Sequence, residues 1–175
     1  MRKIYIDMDG TLAKFYENRE TCLEDMFCEG FFKNLNAYQN MIDAFEMVYQ
    51  YLKDVEIYIL SACVTDICKK EKREWLKEYM PWLDDDHILL CNVGDNKSAV
   101  VGHVDKNCIL IDDYSKNTTE WTAAGGLAIK AINEINDTTG TWRGEKMNCF
   151  STPEKNYFYL YDILYNEDAK EMKVS

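Results

Sequence analysis

The chain has 175 residues, the size of one ordinary domain with room for a small subdomain beside it. Hydrophobic residues make up 47% and charged residues 29%, which excludes a disordered tail, a collagen-like chain and a membrane-spanning bundle. Acids outnumber bases 31 to 20, a net charge of −11, so a phosphate polymer is repelled and no nucleic-acid partner is expected.

Residues 3–8, KIYIDM, predict a first strand, dense in β-branched and aromatic residues and ended by Gly10. Four further apolar runs follow at 55–60, 87–91, 107–111 and 127–131. They are continuous rather than alternating, as suits strands buried on both faces of a parallel sheet. Helical spacing fills 38–53, 65–79 and a shorter 114–124. In 65–79 the apolar face is Ile67, Trp75, Leu76 and Tyr79, and Pro81 closes the helix. Thr152-Pro153-Glu154 begins a last helix through Tyr157–Tyr165. The alternation predicts a doubly wound α/β fold with ligands at the C-terminal strand edge. Residues 14–53 exceed one crossover helix, so a small helical cap is expected there. The core is then 1–13 and 54–175.

Seven cysteines show no C-x-x-C spacing, and there are only two histidines, so the thiols are expected to be reduced core residues of a cytoplasmic protein. Met1-Arg2-Lys3 is basic, but Asp7 and Asp9 break the apolar run behind it, so no signal peptide is expected. No stretch approaches the ~20 apolar residues of a membrane span.

The chemistry gathers at strand ends. Asp7-Met8-Asp9-Gly10-Thr11 ends the first strand, Ser61 the second and Asp112-Asp113 the fourth, while Lys97 follows the third. Packing does not explain paired acids at the ends of apolar strands, because buried carboxylates are costly unless paired or metal-bound. One carboxylate of the Asp7/Asp9 pair can attack phosphorus, and its neighbour can donate a proton to the leaving oxygen. Acids this close call for a hard cation, and Mg²⁺ suits two carboxylates plus a main-chain carbonyl. Ser61 and Lys97 can hold phosphoryl oxygens, and Gly10 lets the backbone turn its N–H groups toward them. Blander roles stand beside these: Ser61 as a helix cap, Phe15 as core, Asp113 as an outer partner, Asp84-Asp85-Asp86 as a solvated loop. Trp142, Asn133 and Asn136 fit packing or turns.

The pieces D-M-D-G-T, the Ser after VEIYIL, Lys97 in G-D-N-K, and I-D-D resemble, in that order, the haloacid dehalogenase superfamily of phosphatases. The resemblance implies Asp7 as nucleophile and Asp9 as general acid/base. It implies Mg²⁺ on the Asp7 carboxylate, the Asp9 carbonyl and Asp112, with Asp113 orienting a metal-bound water. D-M-D-G-T-L-A-K-F, and L-I-D-D-Y-S-K-N followed by Trp121 and Gly125-Gly126, are similar to the 5'(3')-deoxyribonucleotidase family. That likeness implies that Phe15 lines a nucleotide pocket and that Gly10, Thr11 and Ala62 meet the phosphate. Ala62 departs from relatives with a second hydroxyl there, so its contact falls to the backbone N–H.

The expected activity is Mg²⁺-dependent hydrolysis of a phosphomonoester through an aspartyl-phosphate, with a (deoxy)nucleoside monophosphate as substrate. Three rivals stand: a phosphatase of the same superfamily acting on another small phosphate such as a sugar phosphate, a phosphoacceptor signalling domain, and an inactive relative serving as a binding module. A signalling receiver carries its phosphorylated Asp after strand three, where this chain has none. Intact Asp7, Asp9, Lys97 and Asp112 argue against the inactive relative.

Overall fold

A computed structural model describes residues 1–17, 23–135 and 141–171, and side chains as far as residue 166. Its centre is a six-stranded, all-parallel sheet in the order β3-β2-β1-β4-β5-β6. The strands are β1 (Arg2–Ile6), β2 (Val55–Cys63), β3 (Ile88–Asn92), β4 (Cys108–Asp112), β5 (Leu127–Ile132) and β6 (Glu145–Asn148). The helices are α1 (Gln39–Tyr51), α2 (Asp66–Tyr79), α3 (Lys97–Val101), α4 (Ser115–Ala123) and α5 (Pro153–Glu171).

Period-two alternation divides the core into two layers. Ile4, Ile6, Ile109 and Ile111 face a large cluster with Met41, Phe45 and Val48 of α1, Trp75 of α2, and Leu160 and Leu164 of α5. Tyr5, Leu60, Cys108 and Leu110 face the other way, onto Trp121 of α4. This is the expected three-layer α/β fold. The chain leaves β1 in one direction and β4 in the other, so a crevice opens between their C-terminal ends.

Several expectations change. β6 and α3 were not anticipated. β2 runs two residues past Ser61. Ile67 is 48% exposed, and the buried stripe of α2 is Cys68, Glu71, Lys72, Trp75 and Leu76. The expected cap of 14–53 divides: α1 lies in the main core, because Met41, Ile42, Phe45 and Val48 cover the sheet. What remains outside the layers, among the described residues, has two short 3₁₀ turns, Leu23–Phe27 and Phe32–Asn34. Six described cysteines are free thiols, and all but Cys28 are buried, in line with small core residues. No helix among the described residues is long and apolar enough to cross a membrane.

Candidate active site

β1 and β4 deliver their acids side by side. Asp7, Asp112 and Asp113 are buried, and one oxygen from each lies within 4.8 Å of the others. Lys97 reaches them from the first turn of α3, where the Asn96 side chain caps the helix by accepting from the Ser98 and Ala99 N–H groups. Its Nζ donates to Asp112 Oδ2 at 2.6 Å and lies 2.8 Å from Asp7 Oδ1. Burial works against this ammonium, but Asp112 and Asp7 more than offset it, so the Lys97 pKa stands above the ordinary lysine value. Asp112 has two further donors: Oδ1 accepts from Tyr114 N–H at 2.8 Å, and Oδ2 also accepts from Asn117 Nδ2 at 2.9 Å. Burial pushes its carboxyl up, with Lys97 pulling the other way.

A second lysine was missed by sequence reasoning. Lys72 of α2 is fully buried, and its Nζ donates to Asp9 Oδ2 (2.6 Å), Ala62 O (2.7 Å) and Ser61 Oγ (3.0 Å). All three of its donors are used. Burial again opposes the charge, and Asp9 and Asp7 outweigh it, so Lys72 holds its proton above the ordinary lysine range. In the fold, residues 68, 71, 72, 75 and 76 form one buried helical stripe, and two charges interrupt it.

Asp9 sits between opposing influences. Burial pushes its carboxyl up, and Lys72 pulls it down in part. Its Oδ2 is held by Lys72, whereas Oδ1 is buried with no hydrogen-bond partner, as is Thr11 Oγ1. Gly10 has φ +74°, and a Cβ there would lie 2.1 Å from Asp113 Oδ2. Asn133 ties this corner together, donating to Gly10 O and Asp113 Oδ2, both at 2.8 Å. Asn136 lies outside the described residues, and Trp142 packs in the second core cluster. The Asp84-Asp85-Asp86 loop is exposed, with Asp85 near Arg73 and Lys77.

Phe15 is half-buried, edge-on to Tyr16 (4.4 Å) and Phe31 (5.7 Å), and parallel to Phe32 at 6.3 Å. The clustered carboxylate oxygens of Asp7, Asp112 and Asp113 form an all-oxygen donor set that fits a hard divalent cation such as Mg²⁺.

In its parallel sheet with an Asp-x-Asp opening, a hydroxyl on the neighbouring strand, a buried lysine and a paired-acid strand end, the chain resembles the haloacid dehalogenase superfamily. Its fold matches D,D-heptose 1,7-bisphosphate phosphatase from B. bronchiseptica, solved with magnesium and phosphate, at TM-score 0.64 and 10% identity over 93% of this chain and 99% of that one. A HAD hydrolase from Entamoeba histolytica matches at TM-score 0.61 and 14% identity, over 94% of this chain and 99% of that one.

Within the superfamily, the chain resembles the 5'(3')-deoxyribonucleotidase family. A Staphylococcus epidermidis protein named "Putative 5'(3')-deoxyribonucleotidase" is 31% identical over 131 residues, covering 72% of this chain and 66% of that protein. A Staphylococcus aureus protein of the same name is 30% identical, covering 74% of this chain and 63% of that protein. The chain thus spans just under two thirds of the length of these relatives. No protein-family model matches it.

Proposed function

We propose that the chain is a cytoplasmic Mg²⁺-dependent phosphomonoesterase that forms a phosphoryl-Asp7 intermediate and acts on (deoxy)nucleoside monophosphates. The observation that carries this is the contrast within Asp9: one oxygen pinned to Lys72, the other buried without a partner. Burial favours the neutral acid that protonates a leaving oxygen, and Lys72 stabilises the carboxylate left behind. Such a group is poised to cycle between acid and base.

Lys97 holds Asp7 Oδ1, so the other carboxylate oxygen attacks the phosphorus. Asp9 Oδ1 gives its proton to the departing alkoxide, then takes one from the water that cleaves the acyl phosphate. Ser61, the N–H groups around Gly10, Thr11 and Ala62, and Lys97 receive the phosphoryl oxygens, while Lys72 anchors Ser61 and Asp9. Mg²⁺ would be held by Asp7, the Asp9 carbonyl, Asp112 and Asp113. When bound, the cation neutralises charge between the nucleophile and the dianionic substrate.

The aromatic group of Phe15, Tyr16 and Phe31 supports a substrate with a planar ring. On this reading the cap is smaller than 14–53, because α1 belongs to the main core, and among the described residues it comprises 14–17 and 23–37. The test is a phosphatase screen over nucleotides and sugar phosphates with Mg²⁺, with EDTA and Asp7→Asn as controls. Nucleotide hydrolysis lost in both controls is the expected result. Full activity in EDTA, or substantial turnover by Asp7→Asn, overturns the mechanism, and a preference for sugar phosphates overturns the substrate.

A further inference from the structure

Lys72 accounts for one of the two charges that interrupt the buried stripe of α2. Glu71 is the other, at 3% exposure, and it touches none of the reacting groups. Its carboxylate faces the segment that follows the first 3₁₀ turn. Oε1 accepts from Gly30 N–H at 2.5 Å, and Oε2 accepts from Phe32 N–H at 3.0 Å. One turn further along α2, Trp75 Nε1 donates to Leu35 O at 2.7 Å. The strap of residues 30–35 therefore hangs from one helix face at three points. It carries Phe31 and Phe32 to Phe15, and sets the Phe32 ring 4.7 Å from the Lys72 ammonium. An apolar residue at 71 would leave the two N–H groups without their partner, and hydrogen bonds to a charged acceptor are the strong kind.

We propose that Glu71 is a positioning residue for substrate specificity: it latches the strap so that Phe31 meets a planar ring attached to the phosphate, with the buried Phe32 seating Phe31 and roofing Lys72. Glu71 acts through those rings. The identity of the ring-bearing substrate rests on the nucleotidase reading above, and the latch does not.

Glu71→Gln keeps the shape and one acceptor, but turns an NH₂ toward the second amide. Wild type, Glu71→Gln, Phe31→Ala and the double variant are compared in two readouts. The first is amide hydrogen exchange across the strap. The second is the ratio of kcat/KM for a deoxynucleoside monophosphate to that for glycerol phosphate, which has no ring. Strap exchange in Glu71→Gln is expected to rise about 10-fold or more, with β1 and β4 amides unmoved. The substrate ratio is expected to fall about 10-fold, mainly through KM for the nucleotide. The double variant should match Phe31→Ala alone, because one residue works through the other.

Strap exchange at the wild-type level, additive losses in the double variant, or equal losses on both substrates with a lowered Tm would each overturn the proposal. A wild-type enzyme indifferent to the ring overturns instead the nucleotide reading and the specificity role built on it. The exchange readout then decides the latch by itself.

Discussion

Lys72→Met removes the ammonium while keeping most of the hydrocarbon stem. In the wild type this ammonium is fully buried and its donors go to Asp9, Ala62 and Ser61. Removing one partner of a buried pair costs about 3–5 kcal/mol when the other stays charged. The Asp9 side chain keeps 21% of its exposure, so water can reach it in part, and the lower end, ~3 kcal/mol, is expected at neutral pH. For a chain of this size that lowers Tm by roughly 6–12 °C.

The deficit depends on pH with a definite sign. Without Lys72 the main lowering influence on Asp9 is gone, and burial and Asp7 are opposed only by the weaker pull of Lys97, so its folded pKa rises further. A neutral carboxyl needs no cation, so the deficit shrinks as the buffer is made acidic. Asp9→Asn in the same background should recover part of the stability for the same reason. Activity should fall by about 10²-fold, mostly in kcat, because Ser61 and Asp9 both lose their anchor. Urea unfolding at neutral and mildly acidic pH, with steady-state kinetics on the same preparations, tests all of this. A variant as stable as wild type, or a deficit equal at both pH values, refutes the reasoning.

Asp9→Asn alone should lower kcat/KM on an alkyl phosphate by about 10²–10⁴-fold. The loss should be smaller on p-nitrophenyl phosphate, whose leaving group needs less protonation, as single-turnover transfer to the enzyme would read. Gly10→Ala must place a Cβ 2.1 Å from Asp113 Oδ2 at φ +74°, so a stability loss of at least ~1–2 kcal/mol and loss of metal-dependent turnover are expected by calorimetry and assay. Phe15→Ala should reduce kcat/KM for a nucleotide by about 5- to 150-fold while barely affecting glycerol phosphate, with Tm measured alongside; parallel loss on both substrates assigns Phe15 to the core. Burial pushes Tyr5 up to about 12, and pushes Cys149 up to about 12, from ordinary values of 10.0 and 9.0. Both favour the protonated form in the fold, so their contribution is intact below about pH 9 and is lost as pH rises toward 12. The urea midpoint should fall across that window.

The five apolar strands were legible because each is a continuous run closed by a polar or glycine signal. β6 was not: in Glu-Lys-Met-Asn only Met147 is buried, and an edge strand of four residues leaves no apolar pattern. α3 is too short for any helical period, although Asn96 before it is a cap signal. The acids and Lys97 were readable from their places at strand ends. Lys72 and Glu71 were hidden because lysine and glutamate on a helix are usually solvated, and only the exposure of Ile67 fixes which face is inward. The cap was overdrawn for a related reason: the apolar period of α1 is equally consistent with a cap and with a layer on the sheet. The roles of Asp112 and Asp113 depend on which donors surround each carboxylate, and those donors come from residues 97, 114, 117 and 133.

The strand order also governs when the site can exist during synthesis. β1 is made first but lies in the middle, paired on one edge with residues 55–59 and on the other with 108–111. Until β4 has left the ribosome, β1 has one unpaired edge and Asp7 has neither Asp112 nor Asp113 beside it. Lys97, emerging earlier, has only part of its acidic cage. The nascent chain therefore carries an apolar strand flank, exposed to wrong pairing, through most of its elongation. Long-range parallel pairings of this kind close slowly. Truncations before residue 112 should thus be bound by chaperones and inert, with function switching on abruptly once β4 docks.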